Sequence, residues 1–165
     1  MSESTEPRYP LETLGGDDDD GTMPENVSAL REAVVGRRIV SAETRTIKGR
    51  WYTQKAFVLT LDNAQEVQLI NSDDCCAYTE LEEFWQNPEL IEHVITGVGT
   101  TDGYETWHIY ADLGDVMRLK VGWSPGNPFY YGYGFDIRVE PVTIIVDAAA
   151  PGDEAGNAAT PGLTA

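Results

Sequence analysis

Two adjacent cysteines, Cys75 and Cys76, are the residues of this sequence best suited to nucleophilic chemistry. They follow Asp73 and Asp74 and precede the segment "AYTELEEFW", whose apolar residues have the spacing of an amphipathic helix. A cysteine in the first turn of a helix has a lowered pKa, because free backbone N–H groups and the helix dipole stabilise the thiolate. The pattern therefore allows a reactive site, a metal site, or only the start of a helix.

Two histidines could supply the general base that a cysteine hydrolase requires. His93 and His108 follow the cysteines on predicted strands, the order found in papain-like peptidases of the cell-wall amidase type. The acids around Cys75 and Cys76 oppose thiolate formation, and cysteine is among the most buried residue types. We therefore predict that both cysteines are buried thiols that seat a helix against a sheet, with a cysteine hydrolase as the alternative.

The same side chains contain the atoms of a zinc site. Cys75, Cys76, His93 and His108 would form a Cys2His2 set, but adjacent cysteines cannot easily reach one tetrahedral ion. The run "DDDD" lacks the ligand spacing of a calcium-binding EF-hand loop. We predict neither a metal nor a cofactor.

Residue types that favour binding are concentrated in two places. Glutamates follow the cysteines on the outward side of the predicted helix and just beyond it. The segment "WSPGNPFYYGYGF" interleaves aromatics with glycine and proline, and Tyr and Trp give a large contact area at low entropic cost. For the aromatic residues, ordinary strand packing is the alternative. The predicted binding residues are Glu80, Glu82, Glu83, Glu89, Trp123, Phe129, Tyr130, Tyr131 and Tyr133.

A chain of 165 residues suits one domain, which we place at residues 26–142. Residues 1–25 form an acidic segment with too few large apolar side chains to offset their ordering entropy, so disorder is predicted. Residues 143–165 are predicted to be the end of the last strand followed by a disordered tail rich in Ala, Pro and Gly.

Two hairpins are predicted with their register. In residues 55–70, a loop at 62–64 aligns Leu59 with Val67 and gives the hairpin one buried face.

The second hairpin turns at residues 112–114 and ends in a glycine, which suits a three-residue loop with a bulge. It aligns Trp107 with Leu119 and places His108 opposite Arg118. The segment "GVGTTDG" is predicted to form a β-turn rather than a phosphate loop.

The remaining elements complete an α+β fold. A short helix is predicted over residues 24–36, with a cap at Asn26, and a second helical start at Asn87. We predict a single domain, a mostly antiparallel sheet of about seven strands with one or two packed short helices. The apolar stripe of the first helix is predicted at Ala29, Leu30, Ala33 and Val34.

Charge and hydropathy exclude several classes of partner. The formal net charge of −17 argues against direct binding to nucleic acid or anionic lipid. Basic residues concentrate in residues 37–55, whereas residues 56–117 contain acids but no Lys or Arg. Without an apolar run of about 18 residues or a secretory leader, no membrane association is expected and a cytoplasmic location is predicted.

One stretch resembles a known family. The block "LINSDDCCAYTELEEFWQNPELIEHVITGVGTTDGYETWHIYADLGDVMRLKVGW" and the later "GNPFYYGYGFDIRV" are similar to an uncharacterised domain family. That family occurs in actinobacteriophage genomes and their hosts, and the likeness covers residues 35–142. The resemblance implies a phage or prophage setting and carries no catalytic residues.

These observations favour a small acidic phage accessory protein that acts by protein–protein binding in the host cytoplasm. Its partner would be a host or phage protein with a basic surface, and mimicry of a nucleic-acid surface is one form of such binding. The alternatives are a hydrolase using Cys75 or Cys76 with His93 or His108, and a protein that sequesters a small ligand or nucleotide in a tyrosine-lined pocket.

Overall fold

The computed structural model describes residues 8–14, 20–48, 52–73, 77–124 and 133–142. These ranges form one helix and nine strands in two antiparallel sheets. The number of strands exceeds the predicted seven, and they belong to two sheets instead of one. The elements are α1 (Met23–Val34), β1 (Ile39–Lys48), β2 (Thr53–Leu61), β3 (Gln65–Ile70), β4 (Ser72–Asp73), β5 (Tyr78–Gln86), β6 (Gly97–Thr101), β7 (Thr106–Ala111), β8 (Gly114–Ser124) and β9 (Asp136–Pro141).

The core lies between the two sheets. Sheet A has the strand order β1-β2-β3-β9, and sheet B has the order β4-β5-β8-β7-β6. Phe57 of sheet A meets Phe84 of sheet B with ring centroids 4.7 Å apart. Trp107, which is fully buried, meets Phe135 edge to face at 5.5 Å. The inner faces of both sheets therefore share one hydrophobic cluster.

Helix α1 packs its apolar stripe against this cluster. The stripe consists of Met23, Val27, Leu30 and Val34, which recur every three or four residues and are buried. Gly36, at a φ of 86°, follows the helix and confirms the predicted stop. The predicted stripe was rotated, because Ala29 is exposed.

Asn26 does not cap α1, as the sequence predicted, because the helix begins three residues earlier. Its buried side chain instead bonds the backbone of Phe135 twice. Nδ2 donates to the Phe135 carbonyl at 2.8 Å, and Oδ1 accepts from the Phe135 N–H at 2.9 Å. One amide therefore ties α1 to the residue that precedes β9.

The register of the β2–β3 hairpin is confirmed. Leu59 pairs with Val67, and Ala64 has the positive φ of 63° that the loop requires. The opposite face is less open than predicted. Val58 is buried there with Ile70 in a second, smaller cluster.

The β7–β8 hairpin is also confirmed, with Trp107 opposite Leu119 and His108 opposite Arg118. Its loop contains two residues instead of three, and the irregularity lies farther along the ladder, next to Tyr110. The segment "GVGTTDG" is mostly strand β6, and only its last two residues lie in the predicted turn.

The predicted helix after the cysteines is wrong, because residues 78–86 form strand β5. The strand contains a bulge between Leu81 and Glu83. One extra residue changes the inward spacing from two to three, so that Leu81 and Phe84 both face the core. A spacing of three between buried residues also occurs in helices, so the sequence pattern does not distinguish a helix from a bulged strand here. The predicted second helix at Asn87 is a series of turns.

Part of the predicted amino-terminal tail contacts the domain. Residues 8–14, which we call the strap, bond to side chains and backbone of sheet B, contrary to the predicted disorder of residues 1–25. Most of the predicted carboxyl-terminal tail, residues 143–165, lies outside the described residues. In the described part of the chain, no helix has the length and apolar character needed to cross a membrane.

Candidate functional site

Cys75 and Cys76 lie outside the described residues, so their predicted burial or reactivity stays a prediction. Their described neighbours Asp73 and Tyr78 pair with each other, and Tyr78 pairs on its other side with Ser124. His108 pairs with Arg118, which lies six residues before Ser124 in β8. At a rise of about 3.3 Å per residue, roughly 20 Å of strand separates Arg118 from Ser124.

His108 lies at the centre of a buried polar cluster on the outer face of sheet B. Its side chain is 9% exposed. Its Nδ1 lies 2.8 Å from Asp115 Oδ2, and its Nε2 lies 2.8 Å from Thr101 Oγ1. When Asp115 holds the imidazole proton on Nδ1, Nε2 accepts a hydrogen bond from the Thr101 hydroxyl. The connectivity of hydroxyl, imidazole and carboxylate is that of a nucleophile with its base.

The strap covers this imidazole. Tyr9 stacks on the His108 ring with centroids 3.9 Å apart and planes inclined by 15°. Its hydroxyl donates to Asp115 Oδ1 at 2.7 Å. Burial and the neighbouring carboxylate raise the pKa of Tyr9 to about 12, so the phenol stays protonated and continues to donate. A Cβ on Gly99 would collide with Tyr9, so the ring needs a glycine beneath it.

Glu12 anchors the strap at the β6–β7 turn. Its carboxylate accepts backbone N–H bonds from Gly103 at 3.0 Å and Tyr104 at 2.7 Å. It also accepts the Thr100 hydroxyl at 3.1 Å. At the other end of the strap, Arg8 donates to the carbonyl oxygen of Asp112. Together with the contacts of Tyr9, these bonds hold the strap on sheet B. The His108 cluster is therefore one of the places at which the strap is anchored.

The two histidines do not come together on one group. His93 is 36% exposed, and its Nδ1 lies 3.5 Å from Asp112 Oδ1, whereas His108 bonds Asp115. Among the residues that the structure describes, no three His, Cys, Asp or Glu side chains are grouped to hold a metal ion.

Three of the predicted glutamates share the outer face of sheet B. Glu80 pairs with Gly122, and Glu83 pairs with Lys120, so both point away from the core. Glu82 is the extra residue of the bulge. Its carboxylate lies over Gly122, because a Cβ built there would lie 2.5 Å from Glu82 Oε2. The three glutamates therefore share one outer face, on a strand instead of the predicted helix, and their role in binding stays a prediction.

The fourth glutamate, Glu89, is exposed but belongs to the turns after β5. Its N–H bonds the side chain of Asn87 at 2.9 Å.

A groove lies beside these carboxylates. Trp85, which the helical pattern assigned to the core, is 44% exposed. The guanidinium carbon of Arg118 lies 4.4 Å from the centre of its ring, a cation–π contact. Together with Lys120 and Glu83, these residues line a groove of about 430 Å³ that ends at the β6–β7 turn. We call the outer surface of β5 and this groove the β5 face.

The predicted aromatic surface is only partly described. Trp123 packs against Tyr104 edge to face at 5.7 Å, and its Nε1 donates to the Gly103 carbonyl at 2.8 Å. It is therefore committed to packing. Tyr133 is half-buried, and its carbonyl accepts the Thr79 hydroxyl. Phe129, Tyr130 and Tyr131 lie outside the described residues.

Sequence reasoning missed the aromatic residues that the structure does expose on β5. Tyr78 is 41% exposed at one end of the strand and Trp85 is 44% exposed at the other. In this segment, the outward spacing of two between Tyr78 and Glu80 is the only feature of the sequence that indicates a strand. The bulge interrupts this spacing before Trp85.

The charge segregation along the sequence is partly cancelled by cross-strand pairs in sheet A. Arg45 bonds both oxygens of Glu66, at 2.9 and 3.2 Å. The bidentate bond from Arg45 holds the pKa of Glu66 below its usual range, against the opposing effect of burial. Arg38 lies 3.6 Å from Asp62. These two carboxylates are already paired, whereas no ion pair of Glu80 or Glu83 is found among the described residues.

Residues 32–137 match a family described as a domain of unknown function, DUF7448. The chain belongs to this family. No match to a curated protein or to a solved structure is found. The DUF7448 region contains the β5 face and the His108 cluster, whereas the strap and most of α1 precede it. The protein therefore joins a DUF7448 domain to an amino-terminal segment that lies on it.

Proposed function

We propose that this protein is a small acidic accessory protein of a bacteriophage, which binds another protein in the host cytoplasm through its β5 face. The partner is a host or phage protein with a basic surface. The resemblance of residues 35–142 to actinobacteriophage sequences supports the phage setting. The net charge of −17 supports the choice of a basic partner.

The observation that carries this proposal is the bulge in β5. In a regular strand, Glu82 and Glu83 would point to opposite faces, and one of them would enter the core. The bulge turns both outward beside Glu80, which concentrates three carboxylates within four positions of one strand. Bulges commonly aim side chains near functional sites, which supports assigning recognition to this strand.

Exposed aromatic residues supply the uncharged part of the surface. Trp85 and Tyr78 lie on the same face of β5, on either side of the carboxylates. Tryptophan and tyrosine are enriched among residues that dominate binding energy, particularly beside a pocket that a partner side chain can fill. The groove next to Trp85 provides such a pocket. A partner would place an arginine or lysine on the carboxylates and an apolar side chain in the groove.

Mimicry of nucleic acid is one form of this binding. Carboxylates repeated along an extended strand present negative charge at intervals, as a phosphate backbone does, to a protein that normally grips DNA or RNA. Arg118 and Lys120 flank the carboxylates of the strand, and Asp102 and Glu105 also line the groove. The protein would then compete with nucleic acid for the partner without binding nucleic acid.

The proposal can be tested with the full-length chain and a partner isolated from the native host. The double variant Glu82→Lys with Glu83→Lys should weaken measured affinity by about tenfold or more, because the reversed charges repel a basic surface. Trp85→Ala should weaken binding at all salt concentrations. Raising salt from about 0.1 M to about 0.5 M should weaken the wild-type complex steeply.

A matched control separates the β5 face from net charge. Glu32→Lys with Glu140→Lys makes the same change in net charge at exposed positions on α1 and β9. This control should bind as the wild type does. Equal weakening by the two double variants, or binding insensitive to both salt and the β5 reversals, would reject the β5 face as the recognition surface.

A further inference from the structure

A second cavity lies on the other side of the strap from His108. Its volume is about 340 Å³, and it is enclosed by the strap, by the edge strand β6 and by α1. Val27 of α1 and Gly97 of β6 are buried in its floor. Its size is at the lower end of the range for small-molecule sites in proteins.

Three tyrosines form the walls of this cavity: Tyr9, Tyr104 and Tyr110. Tyr9 and Tyr110 meet at 5.5 Å with planes inclined by 63°. The Tyr104 hydroxyl is already used, since it donates to the Glu12 carbonyl and contacts Asp20. The Tyr9 hydroxyl is committed to Asp115. These two residues therefore offer aromatic surface to a ligand.

Tyr110 offers its hydroxyl as well. The ring lies over Gly97, where a Cβ would collide with the hydroxyl end. Among the described residues we find no hydrogen-bond partner for this hydroxyl, although Tyr110 is only 9% exposed. The hydroxyl oxygen is not one of the buried polar atoms that lack a partner, so it reaches the open space of the cavity, where a ligand atom can accept its hydrogen bond.

A cation also lines the cavity. Arg31 lies in the last turn of α1, where it is exposed, and its guanidinium donates to Ser28 Oγ at 3.5 Å. No described carboxylate lies within 4.0 Å of its guanidinium, although the chain has 28 acids for 11 Lys and Arg residues. An unpaired arginine beside an aromatic cavity suits a single carboxylate.

We propose that this cavity binds a small aromatic carboxylic acid. The ring packs among Tyr9, Tyr104 and Tyr110, and the carboxylate bonds Arg31 and accepts the Tyr110 hydroxyl. One arginine balances one negative charge. A nucleotide with several phosphates would need more cations and more room than the cavity has. This site is independent of the β5 face and does not rest on the protein-binding proposal.

Calorimetric titration of the full-length protein with indole-3-carboxylate tests the site, with indole-3-carboxamide as the uncharged analogue. We expect the carboxylate to bind with a Kd below about 1 mM and the amide to bind about tenfold more weakly. Arg31→Gln should remove this difference, and Tyr110→Phe should weaken the carboxylate about threefold. Arg37→Gln, which removes a charge from a residue outside the cavity, should bind as the wild type does.

The outcomes separate this site from the protein-binding surface. Glu82→Lys with Glu83→Lys should leave the carboxylate affinity unchanged. Absence of binding by the carboxylate at millimolar concentration, equal affinity for acid and amide, or full affinity in Arg31→Gln would each overturn the proposal.

Discussion

The outer face of sheet B has two halves that differ in what lies on them. Over β6 and β7, the strap places Tyr9 on His108, and the polar groups of that cluster bond one another. Over β5 and β8, Trp85 and the carboxylates of Glu80 and Glu83 reach solvent. Both halves belong to one antiparallel sheet, but the bulge interrupts the alternation of side chains in β5.

Side-chain size accounts for much of the difference. Two of the three outward positions of β6 are Gly97 and Gly99, and the third is Thr101, which bonds His108, so a tyrosine ring can approach the backbone at Gly99. The corresponding positions of β5 carry large residues that keep a neighbouring chain away. We infer that the covered half stabilises the protein, whereas the open half is available to a partner. Mutations in the two halves should therefore have different effects on the free energy of unfolding.

The largest effect is expected for Asp115→Ala. This carboxylate is 12% exposed and accepts from Tyr9 and His108, with Arg118 at 3.4 Å. Truncation leaves a buried imidazole and a phenol without their acceptor, which should lower the free energy of unfolding by about 3 kcal/mol. Urea unfolding measured by tryptophan fluorescence gives this value.

Asp112→Ala is the control for that measurement. Asp112 also approaches a histidine, but its side chain is 74% exposed. Its removal should change the free energy of unfolding by less than about 0.5 kcal/mol. Similar losses in the two variants would show that the covered half is no more stabilising than an ordinary surface contact.

An intermediate effect is expected for Tyr9→Phe, which keeps the ring but removes the bond to Asp115. Near neutral pH it should destabilise the protein by about 1 kcal/mol. The pKa of Tyr9 is raised from 10.0 to about 12, so folding favours the protonated phenol. The advantage of the wild type is then present in full below pH 10 and is lost as the pH rises toward 12.

The difference in unfolding free energy between wild type and Tyr9→Phe, followed from pH 8 to about pH 11, measures this linkage. Taking the difference removes the contribution of Tyr104, whose pKa is also raised by burial and by Asp20. A difference that stays constant through the alkaline range would mean that the Tyr9 hydroxyl is not bonded to a carboxylate in the folded protein.

The sequence predicted those parts of the fold that depend on local pattern. Leu59 and Val67 are paired as expected because strict alternation and a three-residue loop leave one register. The strand β5 was predicted as a helix because one bulged residue converts a period of two into spacings that a helix also shows. A single sequence contains no local signal that separates the two.

The site was predictable only in part, for a related reason. Glu80, Glu82 and Glu83 were predicted to share a surface, and they do, although on a strand. The contacts of Tyr9 with β8 and of Glu12 with β6 and the β6–β7 turn could not be predicted, because they join residues 88 to 106 positions apart. No composition or periodicity marks a short acidic segment that is held by such specific bonds.

The smallest effect is expected in the open half, for Lys120→Ala. Lys120 and Glu82 are 58% and 44% exposed, and their charged atoms lie 3.8 Å apart. Solvent screens such a pair, so its loss should cost less than about 0.5 kcal/mol. A double-mutant cycle with Glu82→Ala isolates the pairwise coupling from other effects of truncation.

A coupling above about 1 kcal/mol would show that Glu82 is held in place by Lys120 and is not free to bind a partner. A coupling near zero has a further consequence for recognition. Lys120 then competes only weakly for the carboxylate, so an arginine from a partner can displace it at little cost. Lys120→Ala should in that case leave stability unchanged and alter partner binding only slightly, whereas a strongly coupled pair would change both.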